Sequence, residues 1–96
     1  MKTIHTEAKR RFDLYGDDGI HLGEIEYMNG GNNDIYATHT EVFKGFEGKG
    51  YARTLLETLV AFAEGKGLKI VPVCPYVVAE FKKDPEKYAA VIKSKD

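Results

Sequence analysis

The 96 residues carry 14 basic and 15 acidic side chains, a formal net charge of −1, with 43% apolar residues and one cysteine, Cys74. That length fits a single domain over residues 1–96 with a modest core, and the near-neutral balance argues against a dedicated nucleic-acid binder. One cysteine excludes an internal disulfide and argues against a cysteine-built zinc site; with no apolar run near the ~18 residues of a membrane helix and no signal peptide at Met1–His5, the chain is expected to be cytoplasmic, as a monomer or homodimer.

Residues 9–15, KRRFDLY, alternate Phe12 and Leu14 against Arg11 and Asp13, the pattern of a half-buried strand. Gly16-Asp17-Asp18-Gly19 has the composition of a hairpin turn. The returning strand, residues 20–28, sets Gly23, Ile25 and Tyr27 against Glu24 and Glu26. Ile20 and Leu22 are out of phase with Ile25 and Tyr27, which predicts a bulge near Gly23. After the turn Asn29–Asn33, residues 34–42, DIYATHTEV, form a third strand rich in β-branched and aromatic residues.

The period then changes. Ala52, Leu55, Leu56, Leu59, Val60 and Ala63 mark one face of a helix over residues 51–64, closed by Gly65 and Gly67. Residues 68–73 are a short apolar strand broken only by Lys69. Pro75 opens a helix carrying Tyr76, Val77 and Phe81, and Asp84-Pro85-Glu86 is expected to cap a last helix with Tyr88, Val91 and Ile92 inside. Only the tail 93–96 has the composition of a frayed end. The order predicts a mixed α/β fold: a three-stranded antiparallel meander, a right-handed β-α-β crossover and short C-terminal helices.

The loop between the third strand and the long helix holds Gly45, Gly48 and Gly50. It lies at the carboxyl end of a strand and feeds a helix amino terminus, where ligands bind in open α/β sheets and where unpaired N–H groups attract phosphate. Lys44, Lys49 and Arg53 add positive charge. The plain alternative is a flexible connection whose glycines satisfy turn geometry. A P-loop is excluded, because Gly45 stands too close to Gly48-Lys49 and Gly50 takes the Ser/Thr position. The dinucleotide fingerprint fails because Arg53 occupies the place of the third glycine.

EGKGYA, residues 47–52, resembles the pyrophosphate loop of the GNAT superfamily of N-acetyltransferases, and residues 38–78 look like the small YjdJ-like branch of it. Glu47 departs from the pattern, standing where most relatives carry Arg or Gln. The resemblance implies acetyl-coenzyme A as donor and no metal. The pyrophosphate would accept from the amides of Gly48, Lys49, Gly50, Tyr51 and Ala52 with Arg53 nearby. The pantetheine arm would pair with Val42 and Lys44, and a main-chain N–H near Val42 would polarise the thioester carbonyl.

Two side chains are candidate catalytic groups. Cys74 precedes Pro75 at a helix start, a setting that favours thiolate, and a cysteine followed two residues on by an aromatic recurs in the YjdJ-like branch. Its plain alternative is a small buried hydrophobe. His39, in T-H-T-E-V with Glu41 and Ala37 on its face, suits a base for an ammonium substrate, against the alternative of a cross-strand polar partner. Glu41 is a reserve base and Tyr76 a proton donor to the leaving thiolate or a core aromatic. His5 and His21 have no assigned role, and no His/Cys/Asp/Glu group has metal-ligand spacing. The function implied is acetyl transfer to an amine of a small molecule or a protein, directly or through Cys74, with neither nucleic acid nor membrane as partner. The alternatives are a non-catalytic CoA- or acyl-CoA-binding module and a structural partner protein with an incidental glycine loop.

Overall fold

The computed structural model describes residues 1–93; the end of the tail expected to be frayed, residues 94–96, lies outside the described residues. Five strands form one sheet in sequence order: β1 Lys2–Thr6, β2 Arg11–Tyr15, β3 His21–Asn29, β4 Asp34–Val42 and β5 Lys69–Pro72. The first four pair antiparallel, and β4 pairs with β5 in parallel across helix α1, Tyr51–Lys66. A second helix, α2, Pro75–Lys83, follows β5. None of the described helices is long and apolar enough to cross a membrane.

Two departures from the sequence expectation have physical causes. Residues 2–6 pair with β2 as an extra strand, so the meander has four strands. Its side chains are mostly exposed, which hid the burial pattern that would have marked it. The last helix does not form. Asp84 ends α2, and residues 85–91 run through turns while Tyr88 and Val91 are still buried. So short a helix is marginal in isolation, and the segment gains more by hydrogen bonding to β5: Ile70 donates to Val91 and Lys93 donates to Ile70.

The expected bulge near Gly23 is present. Leu14 pairs with Gly23 and Tyr15 with His21, leaving Leu22 as the extra residue. A second bulge lies on β4, where Glu26 faces His39 and Tyr27 faces Ala37, so that Thr38 is unpaired. The Thr38 hydroxyl donates to the Glu26 carbonyl at 3.3 Å. This bulge reverses the phase of β4, and Ala37 and His39 therefore lie on opposite faces, correcting the expectation that they share one.

One sheet face bears Phe12, Leu14, Ile25, Tyr27, Ile35, Ala37 and Ile70 and is buried beneath α1, whose Leu55, Leu56 and Leu59 have no exposed surface. Burying each leucine contributes about 1.5–3 kcal/mol. The helix extends through Gly65 to a cap at Gly67, because Gly67 donates to the Ala63 and Glu64 carbonyls. α2 contributes Val77 and Phe81 to the same core, and Arg53 of α1 pairs with Glu80 of α2 at 3.4 Å.

Candidate active site

β4 leaves β5 where the parallel ladder ends, at Ala37 and Pro72. The Ala37 carbonyl then accepts from both Val73 (3.0 Å) and Cys74 (2.8 Å), while β4 continues to Val42 beside β3. Phe43 donates to Leu22 across the β3 side. By the two-residue alternation of a strand, the main-chain groups of Thr40 and Val42 face the other way, into the gap left by β5. This open edge follows from the Thr38 bulge and the end of β5 together.

The edge forms one wall of a cleft of about 540 Å³ lined by Thr40, Val42, Phe46, Glu47, Gly48, Gly50, Tyr51, Ala52, Arg53, Tyr76 and Glu80. The glycine loop and the start of α1 form its end. Gly45, Gly48 and Gly50 have φ of +97°, +78° and +84°, a left-handed conformation in which a side chain is strained. Among the described residues, no backbone or side-chain acceptor takes the amides of Gly48, Lys49, Gly50, Tyr51 or Ala52. The first turn of α1 has no acidic residue, so its amino-terminal dipole is uncompensated from within the helix.

Four charged side chains surround this cradle. Glu47 folds back and accepts from the Gly45 N–H at 2.8 Å, which places a carboxylate within the loop itself. Lys44 and Lys49 are exposed. Arg53 spans the cleft to Glu80 rather than standing free. Tyr76, half-buried on the opposite wall, has its phenol pKa raised, first by burial and then by Glu80.

The two candidate catalytic residues stand apart. Cys74 is buried as the residue before α2, and its Sγ donates to Thr40 Oγ1 at 3.6 Å, behind the cleft wall. His39 lies on the helix-free face, 3.3 Å from Glu41 and 3.9 Å from Glu24. Thr40 and Glu80 were missed by sequence reasoning. Thr40 sat unremarked in T-H-T-E-V, and Glu80 lay in a helix judged by its apolar residues.

The other histidines also have partners. His5 stacks on Phe12, with ring centroids 4.1 Å apart, and bonds Tyr27 Oη at 2.7 Å. His21 bonds buried Asp13 at 2.8 Å, and Arg11 Nε donates to the same carboxylate at 3.1 Å. Three strands thereby assemble groups that linear spacing did not suggest. Asp13, His21 and Glu24, and likewise Glu24, Glu26 and His39, bring their ligand atoms within 4.8 Å of one another. The Asp13 carboxylate already accepts from Arg11 and His21, which argues for an internally paired network there.

The sequence matches the family described as GCN5-related N-acetyl-transferase over residues 11–91. Among solved structures, the chain is similar to a GCN5-like protein of Staphylococcus aureus assigned as an N-acetyltransferase, with a TM-score of 0.77 and 26% identity over 99% of this chain and 90% of that one. It is also similar to nourseothricin acetyltransferase, with a TM-score of 0.60 and 24% identity over 85% of this chain and 52% of that one. Tetrahymena GCN5 gives a TM-score of 0.63 and 13% identity over 90% of this chain and 61% of that one. The latter two likenesses concern the fold alone. No curated protein matches the chain.

Proposed function

The chain belongs to the GCN5-related N-acetyltransferase family, and from that premise we propose that it moves an acetyl group from acetyl-CoA to an amine of its acceptor. The observation that carries this reading is the run of unpaired amides from Gly48 to Ala52 at the end of a cleft whose side wall is the open main-chain edge of Thr40 and Val42. The fit is chemical as well as spatial. N–H groups at a helix start suit a diphosphate, and an unpaired strand edge suits the amides of a pantetheine arm, as it would a peptide strand.

In this reading Gly48, Lys49, Gly50, Tyr51 and Ala52 hold the diphosphate, and Lys44 and Lys49 supply mobile positive charge. Arg53 contributes only by leaving Glu80. Thr40 and Val42 grip the arm, and the N–H of Val42 serves the carbonyl oxygen. Acetyl-CoA, when bound, supplies an acetyl group activated as a thioester. Tyr76, kept protonated by its raised pKa, holds a proton at Oη for the departing thiolate. His39, flanked by Glu24 and Glu41, accepts the proton of an ammonium arriving from the helix-free face. Cys74, behind Thr40, orients that residue, and transfer to the amine is direct.

Calorimetry with CoA tests the cradle, and amide shifts in NMR should gather at residues 48–52. No affinity, or shifts elsewhere, would overturn the reading. Turnover across a panel of amines then separates an enzyme from a CoA-binding module, which would bind and release without product. Mass spectrometry of the protein after acetyl-CoA alone should find Cys74 unmodified; stoichiometric acetylation there would replace direct transfer with a covalent route.

A further inference from the structure

α1 and α2 pack into one core on one side of the sheet, and among the described residues no α-helix covers the other side. Cross-strand register orders that bare face into rows. Arg11, Glu26 and His39 form one row, and Asp13, Glu24 and Glu41 the next. Met28, Tyr36 and Val71 form an apolar row beside them. Asp13 is buried and paired with Arg11 and His21, so the charge these rows offer outward is that of Glu24, Glu26 and Glu41, three carboxylates on a chain whose whole net charge is −1. Met28 is 56% exposed and Tyr36 39%. Antiparallel sheets do present one face to water, but such a face is ordinarily polar throughout. An apolar row beside uncompensated carboxylates is not explained by solvation.

We infer that this face docks the acceptor, and that the acceptor is an extended basic segment of polypeptide carrying lysine among apolar residues; the inference rests on the acetyl-transfer reading. Charge complementarity selects the occupant. A second copy of this chain would set like-charged rows against each other. A small polyamine would leave the apolar row unused, and small molecules need concave walls. Clefts among the described residues lie along the glycine loop, the β2–β3 turn and the flanks of α2, where one borders Val71; none of these is lined by Glu24, Glu26, His39 or Glu41. A peptide needs no walls, since every second side chain of an extended segment faces the same way, and the rows at Glu24, Glu26 and Met28 are likewise two residues apart along β3, so residues two apart answer acidic and apolar rows in turn. The position also serves the chemistry. β4 and β5 separate just beyond Ala37 and Pro72, so a lysine lying across His39 and Glu41 reaches the Thr40–Val42 edge through the gap.

The test uses the full chain, labelled with ¹⁵N, and a synthetic peptide whose every second residue is in turn lysine, lysine and valine, with serine between, so that both kinds of side chain lie on one face. Its counterpart with glutamate for lysine, and spermidine, serve as the other arms. Amide shifts should gather at Glu24, Glu26, Met28, Tyr36, His39 and Glu41 with the lysine peptide, and affinity should fall as salt rises. The variant Glu26→Gln should weaken peptide binding about twofold to threefold, given the modest worth of exposed charge pairs, and leave CoA affinity unchanged by calorimetry. Equal binding of the glutamate peptide, shifts confined to the cleft, no shifts, or spermidine binding as tightly as the peptide on the same rows would each overturn the inference. Loss of the CoA interaction in the wild-type chain would instead sink the acetyl-transfer reading, because the peptide map needs no cofactor.

Discussion

Replacing Gly23 with alanine should damage stability and cofactor binding together. Gly23 lies at the β3 bulge against Val42, the residue that ends β4 and lines the cleft. An added Cβ would stand 2.5 Å from the Glu41 carbonyl oxygen, 3.2 Å from Val42 Cα and 3.3 Å from Leu55 Cδ1. Comfortable C···O contacts begin near ~3.3 Å, so the overlap is close to an ångström and the atom met is backbone, which cannot rotate away. β4 must shift from β3, at the usual cost of overpacking, about 1–3 kcal/mol. A chain of this length has a total stability of about 5–14 kcal/mol, and each kcal/mol moves Tm by about 4–8 °C. Circular dichroism should therefore record a midpoint lowered by roughly 5–20 °C. Calorimetry should record weaker CoA binding as Val42 is displaced. A midpoint within about 2 °C of wild type would refute the packing argument; a lowered midpoint with CoA affinity intact would show that β3, not β4, absorbs the strain.

Gly65 makes the opposite prediction: it is helical, and its added Cβ meets nothing within 4 Å, so Gly65→Ala should stabilise by about 0.5–1 kcal/mol, seen as a higher denaturant midpoint at constant slope. Glu47→Gln keeps an acceptor for the Gly45 N–H but removes a negative charge at the cradle, and should tighten CoA about twofold to fivefold at low salt; unchanged or weaker binding in calorimetry would count against an anion site. Tyr27 and Tyr76 both have raised phenol pKa values, burial being the first cause for each. The folded state thus holds these protons more tightly than the unfolded chain. That contribution is complete below the ordinary phenol value of about 10 and lost as pH climbs through the raised folded values. Denaturant melts should show stability falling in that alkaline range, less steeply in Tyr27→Phe.

Much of the chain was legible in order because local patterns sufficed. The 34–42 strand and the start of α1 at Tyr51 were found as expected, since β-branched alternation and the 3.6-residue stripe are properties of the segment itself. The phase conflict around Leu22 and Gly23 announced its bulge. Thr38 announced nothing: its bulge is imposed by the pairing of β4 with β3, and no pattern within T-H-T-E-V records it. The 2–6 strand was missed because an exposed edge needs no apolar alternation. The expected last helix failed because the main chain of Ile70, remote in sequence, competed for its hydrogen bonds.

The amino-acid sequence by itself determined the mixed α/β order, the apolar face of α1 and the glycine loop at its start, because these depend on residue type and near neighbours. Tertiary structure alone decided that His39 stands on the bare face while Cys74 lies behind Thr40, that Arg53 is held by Glu80, and that carboxylates from three strands share one surface. Those outcomes depend on register, and register is fixed where strands meet, by a single unpaired residue that turns every later side chain on β4 to the other side of the sheet.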